Sequence, residues 1–160
     1  PSMNVRWDEL SDEIKAIYPE ETLRQPIRII TDSQNRVSEN HKITQIEGEC
    51  WLARTKSQPS SWQGNVSEIL LPTNGKSSGV DLVLLMMQLG KCNINTVWVE
   101  SGAHFAGALL EAGLVDELII YIAPKVLGND ARGLFALSPL SSLSEAPEFT
   151  VLCISGITSF

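Results

Sequence analysis

The chain has 160 residues, 43% of them hydrophobic, and a formal net charge of −7 at pH 7. That length suits one domain with a real core. The acidic balance, with Lys and Arg scattered, argues against a nucleic-acid partner, and no run reaches the ~18 apolar residues of a bilayer span, so no membrane role is read.

The elements are read in chain order. Residues 8–17 fit a short helix with Leu10, Ile14 and Ile17 on one face, stopped by Pro19. Ile27 to Thr31 reads as a strand, followed by a turn at Asp32-Ser33-Gln34-Asn35. Cys50 to Arg54 and Ile69 to Leu71 read as further strands, with loops at 56–65 and 72–79. Val80 to Leu89 is a helix by the spacing of Leu82, Leu85, Met86 and Leu89, with Gly90 as its expected cap. Strand 96–99, helix 103–112 closed by Gly113, and strand 118–123 then make a βαβ unit of roughly the expected ~30 residues. A long connection leads to a last strand at 149–154. The order β-β-β-α-β-α-β-β predicts an α/β domain, with continuous apolar runs such as 118–122 as buried parallel strands.

Three cysteines, Cys50, Cys92 and Cys153, stand far apart without a C-x-x-C pair, and two histidines accompany them. That argues against a metal site and for a reducing, cytoplasmic setting. Cys50 and Cys153 lie in apolar runs and are expected to be buried. No basic segment followed by an apolar stretch opens the chain, so no signal peptide is read.

The chemistry concentrates at Glu100 and the turn after it. A helix N-terminus directly after a strand exposes unpaired backbone N–H groups and a partial positive charge, which suits an anion. The glycines of G-A-H-F-A-G, residues 102–107, depart from the G-x-G-x-x-G dinucleotide pattern and equally suit close packing of helix on sheet. Glu100 reads either as an acid that stabilises the helix start or as a carboxylate that accepts hydrogen bonds from a ligand at the sheet edge. An Asx or Ser turn is the default reading of Asp32-Ser33. Arg6 suits a phosphate through its guanidinium fork, solvation being the usual alternative.

The run V-E-S-G-A-H-F-A-G-A-L-L-E-A-G-L-V-D-E-L-I-I-Y-I-A-P-K-V-L-G, from Val99 to Gly128, resembles the signature of the reductase domain of the bifunctional riboflavin-biosynthesis deaminase/reductase. P-I-R-I-I-T-D-S-Q-N-R at 26–36 and A-R-G-L at 131–134 extend the resemblance over most of the chain. It implies a dihydrofolate-reductase-like fold, a central mixed sheet flanked by helices. It implies NADPH-dependent reduction of 5-amino-6-(5-phosphoribosylamino)uracil to the ribitylamino product. Residue by residue, it places Ser33 and the run Gly102, Ala103, His104, Phe105, Ala106, Gly107 and Ala108 on the cofactor, and Met3, Arg6 and Glu100 on the phosphorylated pyrimidine. No proton donor is assigned.

Residues 1–160 are expected to be a single, partial reductase domain, beginning inside the family's D-D-P-x-L motif. The deaminase motifs H-x-E and P-C-x-x-C do not occur in it. Little activity of its own and self-association into a homodimer are expected. The alternatives are another pyrimidine or pterin reductase of the same fold, such as dihydrofolate reductase, and an inactive nucleotide-binding or dimerising module.

Overall fold

Alternate residues of Cys50–Arg54 enter two different environments, and that alternation organises the first part of the chain. In the computed structural model, which describes residues 2–59, 62, 64–75 and 78–154, this segment is the central strand of a three-stranded parallel sheet. Strand β1 is Arg28–Thr31, β2 is Cys50–Arg54 and β3 is Val66–Leu70, in the order β1-β2-β3. The register sets Arg28 against Cys50 and Cys50 against Val66, and advances in step from there. Side chains alternate across a strand. Ile29, Trp51, Ala53 and Ile69 therefore share one face, whereas Arg28, Cys50, Leu52, Arg54 and Glu68 share the other.

The first face is apolar. Helix α3, Leu82–Lys91, packs Leu85 and Leu89 against Ala53, Leu71 and Val80, with Leu82 and Met86 at the margin of the same cluster. The helical spacing thus identified the buried face correctly. The helix starts at Asp81, whose carboxylate accepts a hydrogen bond from the Leu84 amide at 3.0 Å. It does not end at Gly90, as expected, but runs on to Lys91, and Asn93 takes the left-handed conformation (φ 60°). The Asn93 amide bonds the Gly90 carbonyl and the Ile94 amide the Leu89 carbonyl, each at 3.0 Å, which is a Schellman closure.

The expected helix at 8–17 divides into a 3-10 turn at Trp7–Glu9 and helix α1, Asp12–Ile17, and Ile14 and Ile17 stay exposed. A four-residue helix α2, Lys42–Gln45, was not expected. The third strand begins at Val66, three residues before the expected Ile69, and ends at Leu70, because Ser67 and Glu68 complete the ladder with Trp51 and Leu52. The parts of the expected loops at 60, 61, 63, 76 and 77 lie outside the described residues.

The chain divides into two units, Pro1–Asn95, which holds this sheet, and Thr96–Phe160. The second unit is built on helix α4, Ala103–Glu111. It closes as predicted at Gly113 (φ 64°), with amides of Gly113 and Leu114 on the carbonyls of Leu110 and Leu109. The segment around Ala136 lies along this helix. The Ala136 amide bonds the Ala103 carbonyl at 3.0 Å, and the Ser138 amide bonds the Glu111 carboxylate at 2.6 Å.

The strands expected at 96–99, 118–123 and 149–154 do not form, and the sheet of the described residues is parallel rather than mixed. Apolar composition predicts burial, but a strand also needs a partner ladder. None pairs these runs, so Trp98 and Tyr121 stay largely exposed. Cys153 is exposed for the same reason, against expectation, whereas Cys50 is buried as expected. No helix among the described residues is long and apolar enough to cross a membrane.

Candidate functional site

Helix α4 begins without a side-chain cap. Gly102 stands at its N-cap in extended backbone, φ −83° and ψ 171°, and makes no side-chain capping bond. Its carbonyl accepts the amides of Phe105 and Ala106, each at 3.1 Å. The amides of Ala103 and His104 have no recorded protein acceptor among the described residues. These are the orphan donors of a helix start, where the macrodipole is positive. A β-carbon built on Gly102 would meet nothing within 4 Å, so the space beside this residue is open. Glu100 and His104 are both exposed, on either side of Gly102 in sequence.

Gly107 has a different task. It is buried, and a β-carbon there would run into the backbone carbonyl of Ala136, with its carbon only 2.9 Å away. This glycine of G-A-H-F-A-G therefore serves close packing, but against the irregular segment at Ala136 and not against a sheet, as the sequence had suggested. Phe105, Ala106 and Ala108 are half-buried along the same helix.

In the first unit, Ser33 follows the carboxyl end of β1 and is half-buried. Its carbonyl accepts the Thr55 hydroxyl at 3.2 Å, and no protein partner of its own hydroxyl is recorded among the described residues. Asp32 is more than the local turn former that the sequence suggested. Its carboxylate accepts the amides of Arg36 at 2.7 Å and Val37 at 3.1 Å, and also the Arg54 guanidinium at 3.0 and 2.7 Å. Arg54 is fully buried and donates further to Glu68 at 2.6 Å and to the Val37 carbonyl at 2.8 Å, with the Trp62 ring 5.3 Å away.

Sequence reasoning passed over Arg54. The available signal was a cation at the end of an apolar strand, since a buried charge needs a paired acceptor. The register explains the cluster. Asp32 and Arg54 stand side by side one step beyond the Thr31–Ala53 pair, and Glu68 lies one same-face step back along β3. Arg28 is the second buried cation of that face, and its guanidinium donates to the carbonyls of Ile46, Glu47 and Gly48 at 2.7–2.8 Å.

Two titrating groups feel these cations. Burial pushes the Glu68 carboxyl up, but hydrogen bonds from Ser57 and Arg54, and the Arg54 charge, outweigh it and hold the group below its ordinary value. Burial pushes the Cys50 thiol up, only partly opposed by the Arg28 charge.

Met3 sits at φ 50°, and Arg6 forms an exposed ion pair with Glu9 at 2.9 Å. No recorded hydrogen bond or ion pair among the described residues joins Met3 or Arg6 to Ser33. Glu100 and 102–108 belong to the second unit, Met3, Arg6 and Ser33 to the first. Among the described residues, no three His, Cys, Asp or Glu side chains are grouped to hold a metal ion.

These features define an α/β chain with a parallel sheet and an open helix start suited to an anion. Its sequence matches the family described as the RibD C-terminal domain over residues 1–154, and the chain belongs to that family. It is 55% identical over 149 residues to the riboflavin biosynthesis protein RibD of Escherichia coli, covering 93% of this chain and 40% of that protein. The corresponding protein of Haemophilus influenzae is 47% identical over 150 residues, with 92% of this chain and 38% of that protein covered. The 5-amino-6-(5-phosphoribosylamino)uracil reductase of Buchnera aphidicola subsp. Acyrthosiphon pisum is 38% identical over 149 residues, with 93% of this chain and 71% of that protein covered. The chain thus spans about two fifths of the length of the two RibD relatives.

Proposed function

We propose that this chain is the reductase part of a riboflavin-biosynthesis enzyme, acting in the cytoplasm with a dihydrofolate-reductase-like organisation. The reaction is NADPH-dependent reduction of 5-amino-6-(5-phosphoribosylamino)uracil to its ribitylamino product. Family membership and the Buchnera relative support the reaction class. The observation that carries the cofactor reading is the uncapped, open start of α4 behind Glu100.

The Ala103 and His104 amides present two unpaired donors and the positive end of a helix to a cofactor phosphate. Ser33, in the first unit, has an uncommitted hydroxyl that suits a cofactor contact. Within 102–108, the open end from Gly102 to His104 is where a phosphate fits, and Gly107 lets the helix keep its seat on Ala136. When bound, NADPH supplies the hydride that reduces the sugar's C1; the protein's part is to bind and orient. Glu100 accepts hydrogen bonds from the pyrimidine or the ribose hydroxyls. Met3 contacts the substrate, and Arg6, whose partner Glu9 is exposed, exchanges that pair for the substrate phosphate. Exposed apolar runs such as Ile119 to Ile122 favour association, and we propose a homodimer, to be checked by sedimentation.

Gly102→Val tests the cofactor reading. The backbone at 102 is extended, and the space beyond it is open, so the variant should fold. The added side chain obstructs the approach to amide donors worth ~1.5–3 kcal/mol each toward a charged group, and NADPH affinity should fall by roughly tenfold or more. Unchanged affinity in the folded variant refutes the reading. Glu100→Gln should raise KM for the pyrimidine and leave NADPH binding nearly intact; a change in NADPH affinity instead would remove Glu100 from the substrate.

A further inference from the structure

Around the end of β1, the Asp32–Arg54 pair is buried, with side chains 4% and 0% exposed. A buried ion pair loses so much solvation that replacing it by packed hydrophobic residues is often neutral or stabilising. Asp32 and Arg54 therefore call for a reason other than stability, and their bonds point to one. Both direct hydrogen-bonding capacity at the backbone of the turn after β1.

The Asp32 carboxylate holds the amides of Arg36 and Val37. Arg54 holds the Val37 carbonyl at 2.8 Å, so the pair grips Val37 by both its N–H and its C=O. Arg54 is itself fixed by Asp32, by Glu68 at 2.6 Å and by the Trp62 ring. The turn is tied at further points. The Asn35 amide bonds the Asp32 carbonyl at 3.1 Å, the Asn35 side chain bonds the Lys56 carbonyl at 3.1 Å, and Thr55 bonds the Ser33 carbonyl. Asn35 is held at φ 52°, a conformation uncommon for a residue with a side chain. Ser33 lies inside this grip with its hydroxyl uncommitted.

We propose that Asp32 and Arg54 are positioning residues that lock the 33–37 turn and so aim the Ser33 hydroxyl at the cofactor. The inference rests on the reading of Ser33 as a cofactor contact. Locking a turn before binding lowers the ordering cost at the moment of binding, which is how a charge pair remote from the ligand raises affinity. The pair acts through Ser33 and does not itself touch the cofactor.

The experiment is a fluorescence titration of NADPH into the full chain and its variants, each checked by circular dichroism and thermal melting. Ser33→Ala and Asp32→Asn should each weaken NADPH binding by about tenfold, equivalent to ~1.4 kcal/mol. The double variant should be hardly weaker than Asp32→Asn alone, because a hydroxyl that is no longer aimed has little left to lose. Leu89→Ala, destabilised through the apolar face of the sheet, should melt earlier and keep its NADPH affinity. If Asp32→Asn does not fold, Arg54→Lys replaces it in the same comparison, since it keeps the charge and loses the fork.

Three results would overturn the proposal. One is an effect of Ser33→Ala alongside unchanged affinity in folded Asp32→Asn or Arg54→Lys, which leaves the cofactor reading of Ser33 intact. The second is strict additivity, or an equal affinity loss in Leu89→Ala, which makes the pair merely structural. The third is no effect of Ser33→Ala, or no NADPH binding by the unsubstituted chain, which removes the underlying reading as well.

Discussion

Gly90 and Gly107 each lie inside a helix, and Gly→Ala should act in opposite directions at the two. In α3, a β-carbon on Gly90 would meet nothing within 4 Å. Gly90→Ala therefore gains only the helix preference of alanine, ~0.5–1 kcal/mol, and should stabilise. In α4, the same gain at Gly107 is opposed by the Ala136 carbonyl, which a β-carbon would strike. This neighbour is backbone and has no rotamer to escape into. The segment must lift from the helix, straining or breaking the Ala136–Ala103 bond and loosening Ser138 on Glu111. Overpacking costs ~1–3 kcal/mol and a lost hydrogen bond ~0.5–1.5 kcal/mol. Set against a gain of ~0.5–1 kcal/mol, the net loss is roughly 0.5–4 kcal/mol. Thermal melting of both variants should show Gly90→Ala above the parent and Gly107→Ala below it by several degrees, at roughly 2–4 °C per kcal/mol. A Gly107→Ala protein that melts at or above the parent temperature refutes the packing role and returns Gly107 to the ligand reading.

Glu68 titrates below its ordinary value of 4.5 when folded, so its share of stability is present above that value and is lost as pH falls through the lower, folded one. Glu68→Gln should thus be less stable near neutrality, with the gap to the parent closing below about pH 4.5 in acid-unfolding curves; a constant gap would remove the Arg54 ion pair as its cause. Alkylation of the native chain followed by mass spectrometry should mark the exposed Cys92 and Cys153 and spare Cys50, whose thiol burial pushes up, until the chain is unfolded. Arg6→Ala should cost little stability, since its pair with Glu9 is exposed and worth at most ~1 kcal/mol. It should weaken the phosphorylated substrate more than a dephosphorylated analogue, and equal losses on both would take Arg6 out of the phosphate site.

What the sequence made legible was what depends on neighbours along the chain. The period of Leu82, Leu85, Met86 and Leu89 names one side of a helix, and that side is buried. Gly113 ends α4 because a left-handed residue is needed there, and glycine adopts it freely. The helix after Gly102 was legible too, but the strand expected to lead into it at 96–99 does not form. What depended on partners across the fold was not legible. The runs at 96–99 and 118–123 are apolar enough for strands, yet no ladder pairs them. Residues 66–68 were missed because Glu68 breaks the apolar pattern, and it breaks it to meet Arg54. Asp32, Arg54 and Glu68 come from three strand regions, and only the register brings them together.

That register has a physical guarantee in β2. Trp51 and Ala53 pack toward α3, whereas Cys50, Leu52 and Arg54 face the other way. A slip of one residue would exchange the two sets, sending Arg54 into the apolar cluster and leaving Asp32 without its cation. An unpaired buried charge costs far more than any single packing contact returns. The ion cluster therefore discriminates among registers more sharply than it adds to stability. The same geometry that fixes the sheet fixes the turn after β1, because Asp32 serves both: its amide extends the ladder to Ala53 at 2.8 Å while its carboxylate closes the turn. A residue so committed transmits the register of the sheet directly to the position of Ser33, one residue further on.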